Sequence, residues 1–98
     1  MFLALWEFEV KSGCEGRFQT VYGAQGEWAQ LFRADPNFLE TRLLQDPAQP
    51  GKYVTLDFWK SRSAYESFRE LNDTAYTLID KNCETLTNFE RCLGMLDS

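Results

Sequence analysis

The sequence predicts an α+β fold: a ferredoxin-like four-stranded antiparallel sheet with helices on one face, formed by residues 1–98 as a single domain. Three observations predict it. Segments with a two-residue alternation of apolar side chains stand at both ends and in the middle of the chain, and segments with helical spacing lie between them. Their order is β, broken α, β, β, broken α, β, so each half runs strand, helix, helix, strand. The two middle strands are joined by a short turn-rich loop while the other crossings use helices, which is what a four-stranded antiparallel sheet covered on one face needs.

From Phe2 to Val10 the residues Phe2, Ala4, Trp6, Phe8 and Val10 alternate with Leu3, Leu5, Glu7 and Glu9. Both faces of this strand begin apolar, so both are expected to be covered. Lys11-Ser12-Gly13 turns the chain into a helix whose inner face is Cys14, Phe18, Val21 and Tyr22. Gly23 and Gly26 interrupt it, after which Trp28, Leu31 and Phe32 restore the spacing until Asp35-Pro36 ends the helix.

Asn37 to Gln45 reads as the second strand, the loop DPAQPGK as a hairpin connection, and Tyr53 to Lys60 as the third strand, rich in β-branched and aromatic residues. Ser61 or Ser63 caps the next helix; Ser63 stands three residues before Glu66, a capping-box spacing. Ala64, Tyr65, Phe68 and Leu71 form the inner face of that helix. Asn72-Asp73-Thr74 breaks it, and Tyr76, Leu78, Ile79, Cys83 and Leu86 continue as another. Thr87 to Leu96 closes the chain as a fourth strand by alternation.

Composition narrows the function classes. A chain of 98 residues that is 44% hydrophobic and 15% aromatic has more apolar surface than so short a core absorbs, so part of it is expected to face a partner subunit or a ligand. Fifteen acidic against ten basic residues leave a net charge of -5, which disfavours a nucleic-acid partner. There is no histidine, which removes the usual general base and the usual zinc, iron and haem ligand. Cys14, Cys83 and Cys92 form no CxxC pair, so no metal site is expected and the thiols read as inert in a reducing, cytoplasmic setting. Glu7 and Glu9 cut the first apolar run, and no stretch approaches a membrane span, so neither a signal peptide nor a membrane partner is expected.

The glycines of VYGAQGEWAQLF admit three readings. A phosphate loop follows a strand directly and opens a helix, whereas here a whole helix intervenes and Glu27 stands where a cation is wanted. A GxxG clamp of the KH type matches the element order in part, but GAQGE offers no basic residue to a nucleic-acid backbone. The remaining reading is a bend between two short helices, flanked by Tyr22 and Trp28, that walls an apolar space over the sheet.

The stretch LDFWKSRSAYESF, Leu56 to Phe68, carries Asp57, Trp59, Ser61 and Ala64 at a strand-to-helix junction, and this pattern resembles the antibiotic biosynthesis monooxygenase superfamily. The opening EFEVKSG, Glu7 to Gly13, resembles that superfamily's first strand and turn, and the element order agrees over essentially the whole chain. The resemblance implies a homodimer, a dimeric α/β barrel whose two sheets pack face to face, with an apolar cavity between sheet and helices in each protomer. It also implies a small-molecule enzyme, cofactor-independent and oxygenating an aromatic or phenolic substrate. Phe68 stands where many members carry a histidine, so the haem-degrading branch is not implied.

Chemistry of that kind needs a base, hydrogen bonds to a developing oxyanion and a dry cavity. Without histidine the base is expected to be a carboxylate, with Asp57 and Glu7 as candidates, and Trp59 and Asn88 as candidate hydrogen-bond donors in the catalytic set. Tyr22, Trp28, Phe32, Tyr65, Phe68 and Tyr76 are the expected substrate-binding residues. The competing reading is plainer: Trp59, Tyr65 and Tyr76 pack the core, and Glu7, Asp57, Arg42 and Arg91 pair across strands or an interface. A non-catalytic dimeric protein binding a small apolar or aromatic ligand in the same cavity is the alternative to the enzyme.

Overall fold

Alternation along the first segment becomes β1, Phe2–Val10, in which Phe2, Ala4, Phe8 and Val10 are buried. In the computed structural model, which describes all residues from Met1 to Ser98, β1 lies inside the sheet between two antiparallel neighbours. The other strands are β2, Phe38–Gln45, β3, Lys52–Trp59, and β4, Thr87–Asp97. Their order is β2-β3-β1-β4, every pair antiparallel. The expected ferredoxin-like α+β fold is what the chain forms.

The helices are α1, Glu15–Tyr22, α2, Glu27–Arg33, α3, Arg62–Leu71, and α4, Asp73–Cys83. They cover one face of the sheet, as their ring contacts show: Phe18 packs on Phe8 and Tyr53, Tyr65 on Phe2, and Phe68 on Trp59. Phe2, Phe8, Tyr53 and Trp59 all point to that face by strand alternation. A continuous aromatic core results. The largest wholly buried side chains are Trp59, Tyr53, Phe2, Phe18 and Phe68, and burying each is worth about 2–3 kcal/mol before entropy is counted.

The glycine pair is a break, as the bend reading expects: α1 ends at Tyr22 and α2 starts at Glu27. Gly23 and Gly26 both have negative φ, so no left-handed backbone requires them. Close approach does. A Cβ on Gly26 falls 2.1 Å from the Val21 carbonyl oxygen and 2.4 Å from that of Thr20. The Gly26 amide donates to the Gly23 carbonyl at 3.0 Å, folding the link tightly enough for α2 to begin beside the end of α1.

Ser61, not Ser63, caps α3: its Oγ accepts from the Ala64 amide at 3.1 Å, and Ser63 lies inside the first turn. Leu71 and Leu78 differ from expectation, being 83% and 61% exposed. Leu71 is the last residue of α3, next to the break at Asn72, and Phe68 is the residue of that last turn that enters the core.

The second face of the sheet is open in the single chain. Register places Leu3 beside Phe58 and Leu96, Leu5 beside Leu56, and Glu7 between Val54 and Arg91 on that face. Leu44, Phe89 and Leu96 there are about half exposed, at 53%, 47% and 51%. An apolar sheet face of this kind is far more exposed than a finished surface usually leaves one.

Candidate active site

A cavity of about 170 Å³ lies between the sheet and the helices. Its floor is sheet: Trp6 and Phe8 from β1, Thr55 and Asp57 from β3, Thr41 from β2 and Glu90 from β4. The pairings Thr55 with Trp6, Asp57 with Thr41, and Phe8 with Glu90 put all of these on the helix-facing side. Its roof is helical: Tyr22 from α1, Trp28 and Phe32 from α2, Arg69 from α3, and Tyr76 and Asp80 from α4. The break at Gly23 and Gly26 is what carries Tyr22 and Trp28 to one roof, their ring centroids 6.1 Å apart.

Four of the six expected binding residues therefore line the cavity: Tyr22, Trp28, Phe32 and Tyr76. Tyr65 and Phe68 do not. They are buried against Phe2 and Trp59 and belong to the core.

Of the four residues expected in the catalytic set, only Asp57 reaches the cavity. Trp59 shares its parity on β3 but sits at the end of the strand, wholly buried among Phe32, Phe38, Tyr65 and Phe68. Glu7 lies on the open face, one residue out of phase with Trp6 and Phe8, and pairs with Arg91 at 2.6 Å and Lys52 at 3.4 Å. A β-bulge at Val10 pushes Asn88 out of the ladder, and its side chain donates to Glu9 at 3.0 Å. Asn88 lines a neighbouring groove that shares Tyr22, Asp80 and Glu90 with the cavity.

The electrostatics of the cavity centre on Asp57. Burial raises its carboxyl to about 6, and a hydrogen bond accepted from the Thr41 hydroxyl at 2.5 Å works in the opposite direction without overcoming it. The acid is thus poised between its two forms near neutral pH, the condition under which a carboxylate serves as both base and acid. Burial pushes the Tyr22 and Tyr76 phenols up from 10.0, so both stay neutral hydroxyl groups.

Arg69, Thr41, Thr55, Asp80, Glu90, Trp6 and Phe8 are cavity residues outside the set expected from sequence. The Arg69 guanidinium lies 3.7 Å from the centroid of the Tyr76 ring and 3.4 Å from the Tyr65 hydroxyl. Its stack ties α3 to α4 across the break at Asn72. One signal for it was in the sequence: Arg69 follows Tyr65 by four residues, which puts both on one helix face. The indole Nε1 of Trp28 and the Nε of Arg69 are buried without a hydrogen-bond partner.

The sequence profile of the family described as antibiotic biosynthesis monooxygenase matches residues 1–74. The chain belongs to that family. The matched part carries Trp6, Asp57 and Arg69; Tyr76, Asp80 and Glu90 lie beyond it. Among solved structures of similar fold is SnoaB, a cofactor-independent oxygenase from Streptomyces nogalater, with a TM-score of 0.73 at 17% identity over 99% of this chain and 91% of that one. An antibiotic biosynthesis monooxygenase family protein from Deinococcus radiodurans aligns with a TM-score of 0.80 at 14% identity, covering 100% of this chain and 92% of its own. A Pseudomonas aeruginosa protein, PA3566, aligns at 0.68 and 16% identity over 99% and 92%. At these identities the likeness is one of fold. No curated protein matches the sequence. No helix is long and apolar enough to cross a membrane.

Proposed function

We propose that the family's oxygenase-type chemistry is carried out in this cavity as a cofactor-independent oxygenation of a phenolic substrate. The observation that carries the reading is Asp57: a carboxyl with a pKa of about 6, anchored by Thr41, on the floor of a cavity walled by aromatic rings.

A phenol with hydrogen opposite its hydroxyl takes up one O₂ and leaves as the para-quinone and one water. Asp57 as carboxylate takes the phenolic proton, and the electron-rich phenolate gives one electron to oxygen. The superoxide and phenoxyl radicals so formed combine at the para carbon, and Asp57 returns its proton to the distal peroxide oxygen. Asp57 then removes the hydrogen of that carbon as a proton. The C–H electron pair becomes the new carbonyl bond, the O–O bond breaks, and the departing hydroxide takes the proton from Asp57 to become water. One oxygen atom ends in the ring and the other in water, and the four electrons come from the substrate. Neutral Tyr76 and the Arg69 cation beside it stabilise the phenolate.

The test is oxygen consumption by the pure protein with a panel of phenols, compared with Asp57→Asn. Consumption that the variant abolishes supports the reading. Binding without consumption across the panel supports the second reading, a non-catalytic small-molecule-binding or accessory protein. That reading draws on the position of Trp59, Glu7 and Asn88 outside the cavity, which leaves Asp57 alone of the four expected catalytic residues.

The homodimer belongs to the same proposal. Leu3, Leu5, Leu56, Phe58 and Leu96 on the open sheet face meet their counterparts in a second copy, which covers apolar surface that the single chain leaves in water. Light scattering at micromolar concentration is expected to give twice the chain mass; a monomer overturns it.

A further inference from the structure

The cavity has two properties that its assignment to phenol chemistry does not use: it is small, and it is acidic. An apolar cavity of about 150 Å³ holds a benzene ring, whereas pockets for drug-sized ligands begin at about 300 Å³. At about 170 Å³ this cavity holds one aromatic ring with a short substituent, and a polycyclic ligand projects beyond it.

Three carboxyl groups, Asp57, Asp80 and Glu90, line it against one cation, Arg69, whose face is already stacked on Tyr76. The carboxyl groups divide between its two ends. Asp57 stands at the β2–β3 side with Thr41, and Glu90 stands on β4, on the far side of β1, paired with Phe8. Asp80 follows Tyr76 by four residues on α4 and so shares its face above Glu90's end. Neither Asp80 nor Glu90 takes part in any ion pair; the four that form use Glu40, Glu7 and Asp97. Glu90 is an exposed residue at the mouth of the cavity, raised first by partial desolvation and then by the charges of Asp80 and Glu84. Between the two ends run the aromatic walls, whose ring faces attract cations.

We propose that the cavity's ligand is a single-ring phenol bearing a protonated amine, its hydroxyl at Asp57 and its ammonium at the Asp80–Glu90 end. The phenol half rests on the function proposed above; the size and the cation preference rest on the cavity alone. An ammonium in that place relieves the repulsion between the Asp80 and Glu90 carboxylates, and a carboxylate-bearing phenol adds to it.

Binding decides it, measured by tryptophan fluorescence or calorimetry on the intact protein without reference to turnover. Tyramine, para-ethylphenol, para-hydroxyphenylacetate and anthrone share the aromatic feature and differ in charge or size. Tyramine is expected to bind about tenfold more tightly than para-ethylphenol, the scale of one partly solvated charge pair with cation–π support. Para-hydroxyphenylacetate and anthrone are expected to bind more weakly than either. The double variant Asp80→Asn, Glu90→Gln, at two side chains that make no ion pair, is expected to remove tyramine's advantage over para-ethylphenol. Equal binding of tyramine and para-ethylphenol, stronger binding of the acid or of anthrone, or no binding by any of the four overturns the proposal. Tyramine binding with that preference but without oxygen consumption overturns the oxygenase reading and leaves this one standing; anthrone binding best with oxygen consumed does the reverse.

Discussion

Thr41 and Asp57 are register partners across β2 and β3, and the Thr41 hydroxyl donates to Oδ1 of Asp57 at 2.5 Å. The bond favours the ionised carboxyl while burial opposes it, and burial is the larger effect. Thr41→Val keeps the shape and deletes the donor. The Asp57 pKa is then expected to rise further above about 6, moving the acid limb of a kcat/KM pH profile up by about half a unit or more. An unmoved limb shows that another group governs it.

Asp57→Asn tests the same carboxyl through stability. Its folded pKa of about 6 lies above the ordinary 3.8, so the folded state holds the proton more tightly between those values. The contribution is fully present below about 3.8 and is lost as pH rises through about 6. The wild type therefore loses roughly 2–3 kcal/mol relative to the asparagine variant between pH 4 and pH 7.5. Thermal melts of both proteins at those two pH values check it: the variant gains at the higher pH, while its oxygenation falls at least about a hundredfold.

Trp59 lies in the motif that most strongly suggests the family, yet its ring is wholly enclosed. Trp59→Phe leaves a void but also deletes an indole N–H that has no acceptor, so the two effects partly cancel. A loss of about 1–2 kcal/mol in urea unfolding is expected, with the affinity for a bound phenol changed less than twofold. A large change in affinity with unchanged stability returns Trp59 to the site.

These cases show what a sequence read alone conveys. Alternation reveals that Glu7 and Trp6 face opposite ways, but β1 begins apolar on both faces, so the pattern does not say which face holds the cavity. Asn88 is displaced by a bulge that no local residue pattern announces. Trp59 and Asp57 share a face, and only the position of α3 over the strand end separates core from cavity. Tyr22, Trp28, Phe32 and Tyr76 were legible because aromatic residues at helical spacing over a sheet have few other places to go. Asp80 was not, and Arg69 only through its spacing from Tyr65, because a charge on a helix ordinarily faces solvent, whereas both line the cavity here.

Gly16 and Gly26 give opposite outcomes for one substitution. Gly16 lies in the first turn of α1 and an added Cβ meets nothing within 4 Å. Gly16→Ala reduces the freedom of the unfolded chain and is expected to stabilise the protein by about 0.5–1 kcal/mol. Gly26→Ala drives a methyl group into the carbonyls of Val21 and Thr20, backbone atoms that move only if the end of α1 moves. It is expected to cost at least about 2 kcal/mol and, by shifting Tyr22 against Trp28, to weaken phenol binding as well. Urea unfolding of the two variants with a binding titration on each checks this. Equal stability in both means that the link between α1 and α2 is slack, and the roof of the cavity is then set by Arg69 and Tyr76 rather than by the glycines.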